Sequence, residues 1–226
     1  MPERHEIQVT DEIAVVAVHH PAPGEDWLVF CHGLRSDKSG SYEGRAERAV
    51  EAGYNAVRFD FRGCGESDGD FAEGTLSGRI ADLEAVLAHF DPPAVVLFGS
   101  SFGGAVAFHA AVDDDRVDAV ATRAPVTDTA VFDRPADATD AAEDALGARF
   151  LADLENYEFG TVTGALDVPV AIFHGAADES VPIDYSHRAV RDFSTDVLFQ
   201  TYADEGHLFS RAAEARLREL LFAWLA

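Results

Sequence analysis

The sequence contains little lysine, methionine or cysteine. Sixteen of its 17 basic side chains are arginines, and Lys38 is the single lysine. Cys31 and Cys64 are the two cysteines, which are too few for a disulfide framework and lack the paired spacing of a zinc site. We therefore expect both thiols to be reduced.

Long apolar runs are absent as well. No stretch of about 18 consecutive apolar residues is present to span a membrane. The first ten residues carry Glu3, Arg4 and Glu6 where a signal peptide has an apolar core. The sequence thus predicts a soluble, cytoplasmic protein with no membrane partner.

Positive charge is scarce. The chain has 17 Lys and Arg against 41 Asp and Glu, which gives a net charge of −24. Proteins that bind nucleic acids need clustered basic residues, so this balance excludes a nucleic-acid partner. At about 1 M salt the Debye length is only about 3 Å, and self-repulsion between carboxylates is largely screened. The composition resembles that of proteins from halophiles that accumulate salt.

That resemblance predicts a dependence of stability on salt. We expect the melting temperature to rise between dilute buffer and molar KCl, because the salt screens repulsion among the carboxylates. Thermal unfolding of the same preparation in both solutions measures it. An unchanged melting temperature would contradict the prediction.

Short apolar runs alternate with helical patterns along the 226 residues, a length that suits one domain, 1–226. Leu76, Ile80, Leu83, Leu87 and Phe90 have the spacing of an amphipathic helix, and 105–111 and 212–225 favour helix too. This alternation predicts an α/β fold with a mostly parallel sheet of about eight strands and helices on both faces. The expected strands are two within 7–18, then 27–31, 55–61, 95–98, 117–121, 168–173 and 197–202.

The segment Val126–Leu166 breaks the alternation. It is about forty residues long without a clear strand, which is too long for a simple connection, so we predict a helical cap over the strand ends. We expect its aromatic residues to line an apolar acyl or aryl pocket, although packing of the cap onto the core accounts for them equally well. These residues are Phe132, Phe150, Tyr157 and Phe159.

The strongest local motif is Gly99-Ser-Ser-Phe-Gly103, between the apolar run Val95–Phe98 and a helical segment. In a strand–turn–helix context, a Gly-x-Ser-x-Gly motif presents its central serine on a strained turn. That serine is Ser101, whereas Ser100 lies at a variable position. The motif predicts a nucleophile.

A serine nucleophile needs a base and a group that orients the base. Asp178 follows the predicted strand 168–173 and His207 follows 197–202, so the chain order is Ser, acid, His. Asp204 and Glu179 are weaker candidates for the acid. We expect His174 to be a structural turn residue.

Acyl transfer also needs backbone donors for the oxyanion. The residue after the nucleophile, Phe102, supplies one N–H group. The loop after the predicted strand 27–31 supplies the other, and we assign it to Leu34, with His32 organising the loop. No convergent set of metal ligands is evident, and we expect no metal or cofactor.

Together these motifs resemble those of an α/β-hydrolase and span residues 30–207. Within that superfamily the 60–69 loop and the 206–210 segment resemble small cinnamoyl/feruloyl esterase-like and serine aminopeptidase-like hydrolases. The resemblance implies a serine hydrolase of carboxylic esters with a cap after the sixth strand. Ser100 and Phe102 stand where many members have His and Gln, which leaves the substrate class open. The motifs that carry the resemblance are 30–34, 57–69, 99–103, 174–178 and 206–207.

The sequence predicts hydrolysis of a small-molecule ester by Ser101, His207 and Asp178 through an acyl-enzyme. A peptidase or thioesterase with the same three residues is one alternative, and a binding protein on a hydrolase scaffold is another. A peptidase that recognises a free amine would use acidic residues in the cap, but in so acidic a chain their presence does not discriminate. These acidic residues are Asp133, Asp137, Asp140, Glu143 and Asp144.

Overall fold

A computed structural model describes residues 1–132 and 147–226. Eight strands form one sheet: β1 (Glu3–Gln8), β2 (Ala14–His20), β3 (Trp27–Cys31), β4 (Asn55–Phe59), β5 (Val95–Ser100), β6 (Val117–Arg123), β7 (Val170–Gly175) and β8 (Val197–Tyr202). The α-helices are α1 (Ser41–Glu51), α2 (Leu76–Phe90), α3 (Phe102–Val112), α4 (Gly147–Leu154), α5 (Phe159–Ala165), α6 (Ile183–Asp192) and α7 (Arg211–Trp224), with short 3₁₀ turns at Phe71–Glu73 and Thr129–Phe132.

The sheet has the strand order β1-β2-β4-β3-β5-β6-β7-β8. β1 pairs antiparallel with β2, and β2 pairs antiparallel with β4. From β4 through β8 every neighbouring pair is parallel. The loops after β3, β5, β7 and β8 therefore emerge at one edge of the sheet, where the sequence placed its candidate residues.

Both faces of the sheet are covered. On one face, α1 and α7 pack against inward side chains such as Phe30 and Phe98, and Leu217 and Leu221 are fully buried there. Helices α2 to α6 cover the other face. The central strands are buried on both sides, which accounts for their nearly continuous apolar runs.

The predicted α/β fold is confirmed: β3 and β8 have the predicted bounds, and α2 covers the amphipathic segment. Two helices, α1 and α6, were not predicted from the sequence. Tyr42, Arg45, Ala46 and Ala49 are the buried residues of α1, and Ser186 and Ala189 are those of α6. Helices that bury small or charged side chains escape an analysis based on large apolar residues.

The segment between β6 and β7 contains the second 3₁₀ turn, α4 and α5. Phe150 on α4 is fully buried and contacts the rings of Phe102 and Phe132. Residues 133–146, which include the acidic residues considered above for a peptidase, lie outside the described residues. The cap boundaries and the single-domain division remain predictions.

Within the described ranges, no helix combines the length and the apolar character needed to cross a membrane.

Candidate active site

Ser101 lies on a sharp turn between β5 and α3. Its backbone has φ 54° and ψ −121°, a strained conformation for a residue with a side chain. A side chain at Gly99 would put its Cβ 2.3 Å from the Gly103 carbonyl oxygen, and one at Gly103 would put its Cβ 2.3 Å from the Cys31 carbonyl oxygen. Both glycines are therefore required by close backbone contacts, and the turn projects the Ser101 side chain outward.

The structure brings Ser101, His207 and Asp178 together. His207 Nε2 lies 3.0 Å from Ser101 Oγ, and His207 Nδ1 lies 2.8 Å from Asp178 Oδ2. Asp178 is in the loop after β7, and His207 is in the loop after β8. With the carboxylate accepting from Nδ1–H, Nε2 is free of its proton and can accept the serine hydroxyl hydrogen.

Asp178 is held in its ionised form. Burial alone would favour the neutral acid, but hydrogen bonds from His174, His207 and the Val181 N–H hold the pKa of this carboxyl well below its usual range. Oδ1 accepts from the backbone N–H groups of Ser180 and Val181, each at 2.9 Å. The carboxylate therefore has a fixed position and a full charge beside His207.

His174 is more closely tied to the site than its predicted role as a turn residue implied. It is fully buried at the end of β7, and its Nε2 lies 3.3 Å from Asp178 Oδ2 and 2.9 Å from the Val181 carbonyl oxygen. Its Nδ1 lies 2.8 Å from the Ser186 hydroxyl. An Nε2–H tautomer satisfies all of these contacts and supports the carboxylate from behind. Asp204, the rival acid, is exposed.

The loop after β3 lies directly beside the nucleophile. A Cβ on Gly33 would be 3.5 Å from Ser101 Cβ, and Leu34 and Phe102, the two predicted oxyanion donors, both line the same cleft as Ser101. His32 Nδ1 lies 2.7 Å from the Gly33 carbonyl oxygen, and its Nε2 accepts the Phe61 N–H at 3.0 Å. Burial lowers the pKa of His32 to about 3. The neutral His32 ring therefore links the Gly33 carbonyl group to the Phe61 N–H, as expected of a residue that fixes this loop.

Sequence reasoning missed the contribution of Arg79 to this loop. Arg79 on α2 is fully buried, and its guanidinium donates to the carbonyl oxygens of Leu34 at 3.0 Å and Gly33 at 3.4 Å. It also stacks near the rings of Phe61 and Phe102. Since its partners are distant in sequence, no local motif identifies it.

A second unpredicted feature is the network around the single lysine. Lys38 donates from both its backbone N–H and its Nζ to the fully buried carboxylate of Asp60, and its Nζ also donates to Glu66. Asp60 in turn accepts the Glu66 N–H at 2.9 Å. A Cβ on Gly65 would clash with that carboxylate at 2.2 Å. The 60–69 motif thus fixes two loops at the sheet edge.

The cleft beside Ser101 has a volume of about 1160 Å³. Toward the cap its lining is apolar, with Phe102, Val126, Val131 and Phe132. Toward α1 and α7 its lining combines charged side chains with Tyr42, Leu208 and Phe209; the charged residues are Arg123, Arg211, Glu214 and Arg218. The scissile bond of a substrate at Ser101 would lie between an apolar region and a charged region.

The four aromatic residues predicted to line an acyl pocket lie in different places. Phe132 lines the cleft, but Phe150 is fully buried as packing beneath it. Tyr157 and Phe159 line a second cavity of about 340 Å³ instead. Phe150 lines neither cavity, so the prediction needs correction for this residue. Tyr157 and Phe159 also contact the His109 ring on α3, and their role in an acyl pocket stays a prediction.

Possible metal ligands meet at one place in the described part of the chain, on β1 and β2. Glu3, His5 and His19 each offer a ligand atom, and these atoms lie within 4.8 Å of one another. None of the three residues lines the cleft beside Ser101. The sequence showed no such grouping, because the β1–β2 register brings Glu3 opposite His19.

The fully buried His32 and the half-buried His109 predict how stability depends on pH. Burial lowers the pKa of His32 to about 3 and that of His109 to about 4, against about 6.5 in an unfolded chain. Between these values the unfolded state binds more protons, so stability is lost as the pH falls below about 6.5. We expect each histidine to contribute up to about 1.4 kcal/mol per pH unit.

Urea unfolding between pH 7 and pH 5 measures this slope. The His109→Gln variant should have a shallower slope than the wild type, while His187→Gln, at an exposed position on α6, should keep the wild-type slope. Equal slopes in the wild type and His109→Gln would contradict the assignment of His109.

Comparison with known proteins agrees with this architecture. The family model described as alpha/beta hydrolase fold matches residues 26–161. The chain therefore belongs to the alpha/beta hydrolase fold family, as its motifs predicted.

Three individual proteins show the likeness. The chain is 33% identical over 108 residues to the quorum-quenching protein AidA of Acinetobacter baumannii, a match covering 45% of this chain and 36% of that protein. It is 24% identical over 212 residues to the mitochondrial palmitoyl-protein thioesterase ABHD10 of Pongo abelii, covering 84% and 69%. The structure of Est1E from Butyrivibrio proteoclasticus with ferulic acid bound superposes with a TM-score of 0.86 at 20% identity, covering 98% and 97%.

The match to AidA thus spans little more than a third of that protein, and a match to an uncharacterised Escherichia coli protein spans 43% of it. The likeness to Est1E, at 20% identity, concerns the fold.

Proposed function

We propose that this protein is a serine hydrolase that cleaves carboxylic esters through an acyl-enzyme. The observation that carries the proposal is the hydrogen-bonded chain Ser101–His207–Asp178, which lies beside a strained turn at the edge of a large cleft. A serine, a base within reach of its hydroxyl and an ionised group that orients the base form the arrangement that activates a serine nucleophile.

The reaction would have two halves. Ser101 Oγ attacks the ester carbonyl carbon while His207 Nε2 takes the hydroxyl proton, and the same nitrogen then donates this proton to the leaving alcohol. Water attacks the acyl-enzyme with His207 again as the base, which releases the acid and regenerates Ser101. Asp178 keeps the imidazole in the Nδ1–H tautomer and stabilises its protonated form.

The backbone N–H groups of Leu34 and Phe102 are our proposed oxyanion donors. Phe102 begins α3 directly after the nucleophile, and the Gly33–Leu34 segment lies beside Ser101 Cβ. Two preorganised N–H donors would stabilise the negative charge that develops on the carbonyl oxygen. Arg79 is the proposed positioning residue, since it holds the Gly33 and Leu34 carbonyl groups.

Thioester hydrolysis is the second candidate function. One relative is a palmitoyl-protein thioesterase with which the chain shares 24% identity over 212 residues. The second cavity shares Phe102 and Val126 with the Ser101 cleft, so a long acyl chain has space beyond that wall. The same serine, histidine and aspartate would act on either substrate. We also propose that the substrate is a small molecule, that the protein is cytoplasmic and that it is adapted to high salt.

The test is a substrate panel in molar KCl: p-nitrophenyl acetate, a longer-chain p-nitrophenyl ester, methyl ferulate and an acyl thioester, with Ser101→Ala as the control. Activity that is lost in Ser101→Ala supports the proposal, and the preferred substrate assigns the class. If the folded wild type equals the variant on all four, the proposal fails, and amide substrates or a binding role follow.

The wall between the two cavities predicts a change in acyl-chain preference. The Val126→Ala substitution removes two methyl groups from a side chain that lines both cavities, whereas Val131→Ala alters the Ser101 cleft alone. We expect Val126→Ala to raise the ratio of kcat/KM for octanoate over acetate esters by about tenfold, the scale of hydrophobic pocket effects. An equal rise in Val131→Ala would show that this wall does not limit chain length.

A further inference from the structure

We propose that the end of the cleft next to α7 is a subsite for a negatively charged group, a carboxylate or a phosphate, on the substrate. The inference rests on the proposed function, because it specifies which esters or thioesters Ser101 would meet. The side chains beneath this end of the cleft carry more positive than negative charge.

Two buried guanidinium groups share one carboxylate there. Arg45 on α1 is fully buried and donates to Glu214 Oε2 at 2.6 Å. Arg123, at the end of β6, lies 3.8 Å from Glu214 Oε1 and donates to the His207 carbonyl oxygen at 2.9 Å. This cluster, Arg45, Glu214 and Arg123, therefore has a net positive charge directly behind the candidate base.

Three nitrogen atoms in the cluster have no hydrogen-bond partner among the described residues. They are Nε and Nη1 of Arg45 and Nε of Arg123. The aromatic rings over which these two guanidinium groups lie compensate part of the cost of burying them, and a second counter-charge would compensate more. Arg123 lines the cleft, so an anion bound there would supply the missing negative charge.

The surface above the cluster extends the positive charge into the cleft. Arg211 and Arg218 lie on α7, and both line the cleft. Arg218 Nη1 also donates to the Gly44 carbonyl oxygen at 3.4 Å, which directs its guanidinium toward the first turn of α1. In full, the charged residues that line the cleft are Arg35, Arg123, Arg211, Arg218, Glu179 and Glu214.

This distribution is the reverse of the chain's composition. The whole sequence has 41 acidic and 17 basic residues, yet more arginines than carboxylates line the cleft in the described part of the chain. Field lines of one sign are focused in a cleft with low-dielectric walls, and arginine forms paired hydrogen bonds with carboxylates and phosphates. An anionic substrate would thus be attracted to the cleft of a protein whose total charge repels it.

The opposite end of the cleft is apolar. The substrate class that fits is an ester or thioester with an apolar portion on one side of the carbonyl carbon and an anionic group on the other. Two matched pairs of esters show whether the anionic group belongs to the alcohol part or the acyl part of the substrate. The pair 4-acetoxybenzoate and 4-acetoxybenzamide tests the alcohol part, and the pair monomethyl terephthalate and methyl 4-carbamoylbenzoate tests the acyl part. Comparison of 4-acetoxyphenyl phosphate with 4-acetoxybenzoate distinguishes phosphate from carboxylate.

The first readout is the ratio of kcat/KM for the anionic ester over its neutral amide partner, at one fixed KCl concentration. We expect a ratio of at least about ten for one pair in the wild type, the scale of one charge-assisted hydrogen bond. The ratio should fall about tenfold in Arg211→Gln/Arg218→Gln. It should keep its wild-type value in Arg216→Gln, an exposed arginine on the same helix that does not line the cleft.

The second readout does not require turnover. Dissociation constants of the same pairs are measured with Ser101→Ala, alone and combined with the double arginine change. If the anionic member of a pair binds more tightly and this preference is lost when the arginines are replaced, the subsite is supported. If such binding is found but no ester is cleaved, the subsite stands and only the proposed function fails. Equal affinity within both pairs, or a preference that survives the arginine changes, overturns the subsite whether or not the esters are hydrolysed.

Discussion

The His207→Ala variant is expected to lose ester hydrolysis almost completely, with kcat reduced about 10⁴- to 10⁶-fold. Without the imidazole, no other base among residues 1–132 and 147–226 lies within hydrogen-bond distance of Ser101 Oγ, because the 3.0 Å contact from Nε2 is lost. Steady-state kinetics on the best substrate of the panel measures the effect. The residual rate would come from substrate binding and the oxyanion donors.

The matched control is His187→Ala, which removes an exposed histidine on α6 and should keep wild-type kcat. Asp178→Asn should cost about 10⁴-fold, because the amide selects the wrong imidazole tautomer. A double variant lacking both the serine and the histidine side chains should be no slower than the worse single variant. Full activity in a folded His207→Ala protein would refute the proposed base.

The Asp60→Ala variant should show the second large effect, a loss of about 3–5 kcal/mol in the free energy of unfolding. Asp60 is fully buried, and its removal leaves the Lys38 ammonium without its buried partner. The carboxylate also accepts the backbone N–H groups of Lys38 and Glu66, at 2.7 Å and 2.9 Å. Its loss frees both loops, so kcat should fall as well.

Urea unfolding in molar KCl measures this change. Asp204→Ala, at an exposed carboxylate, is the control and should shift the free energy of unfolding by no more than about 0.5 kcal/mol. Lys38→Met combined with Asp60→Ala should be more stable than Asp60→Ala alone, because it removes a buried ammonium whose remaining partner is the exposed carboxylate of Glu66. A loss below about 1 kcal/mol in Asp60→Ala would mean that the network does not stabilise the fold.

Much of the fold could be predicted because its central strands are buried on both faces. Continuous apolar runs such as Trp27–Cys31 and Val95–Phe98 are typical of strands in a sheet that is covered on both sides. Helices α1 and α6 could not be predicted by the same reasoning. The buried face of α1 contains Arg45 and small residues, whose partners lie on α7, far away in the chain.

Some residues of the candidate site could likewise be predicted from the sequence, and others could not. Ser101, Asp178 and His207 each lie within a short motif next to a strand end, so their meeting follows from parallel strands that end at one edge of the sheet. Arg79, Arg123 and the Lys38–Asp60 pair act on loops that are distant in sequence. Their contacts can be seen only in the folded structure. Phe150 was misplaced because composition does not indicate which face of a helix is buried.

The most direct test of the central claim is covalent labelling with a fluorophosphonate, followed by peptide mass spectrometry, because it needs no knowledge of the substrate. We expect one phosphonyl group per folded chain, located on Ser101, and little labelling in His207→Ala or after unfolding. A folded wild-type protein that remains unlabelled, or is labelled at another residue, would contradict the assignment of Ser101 as an activated nucleophile.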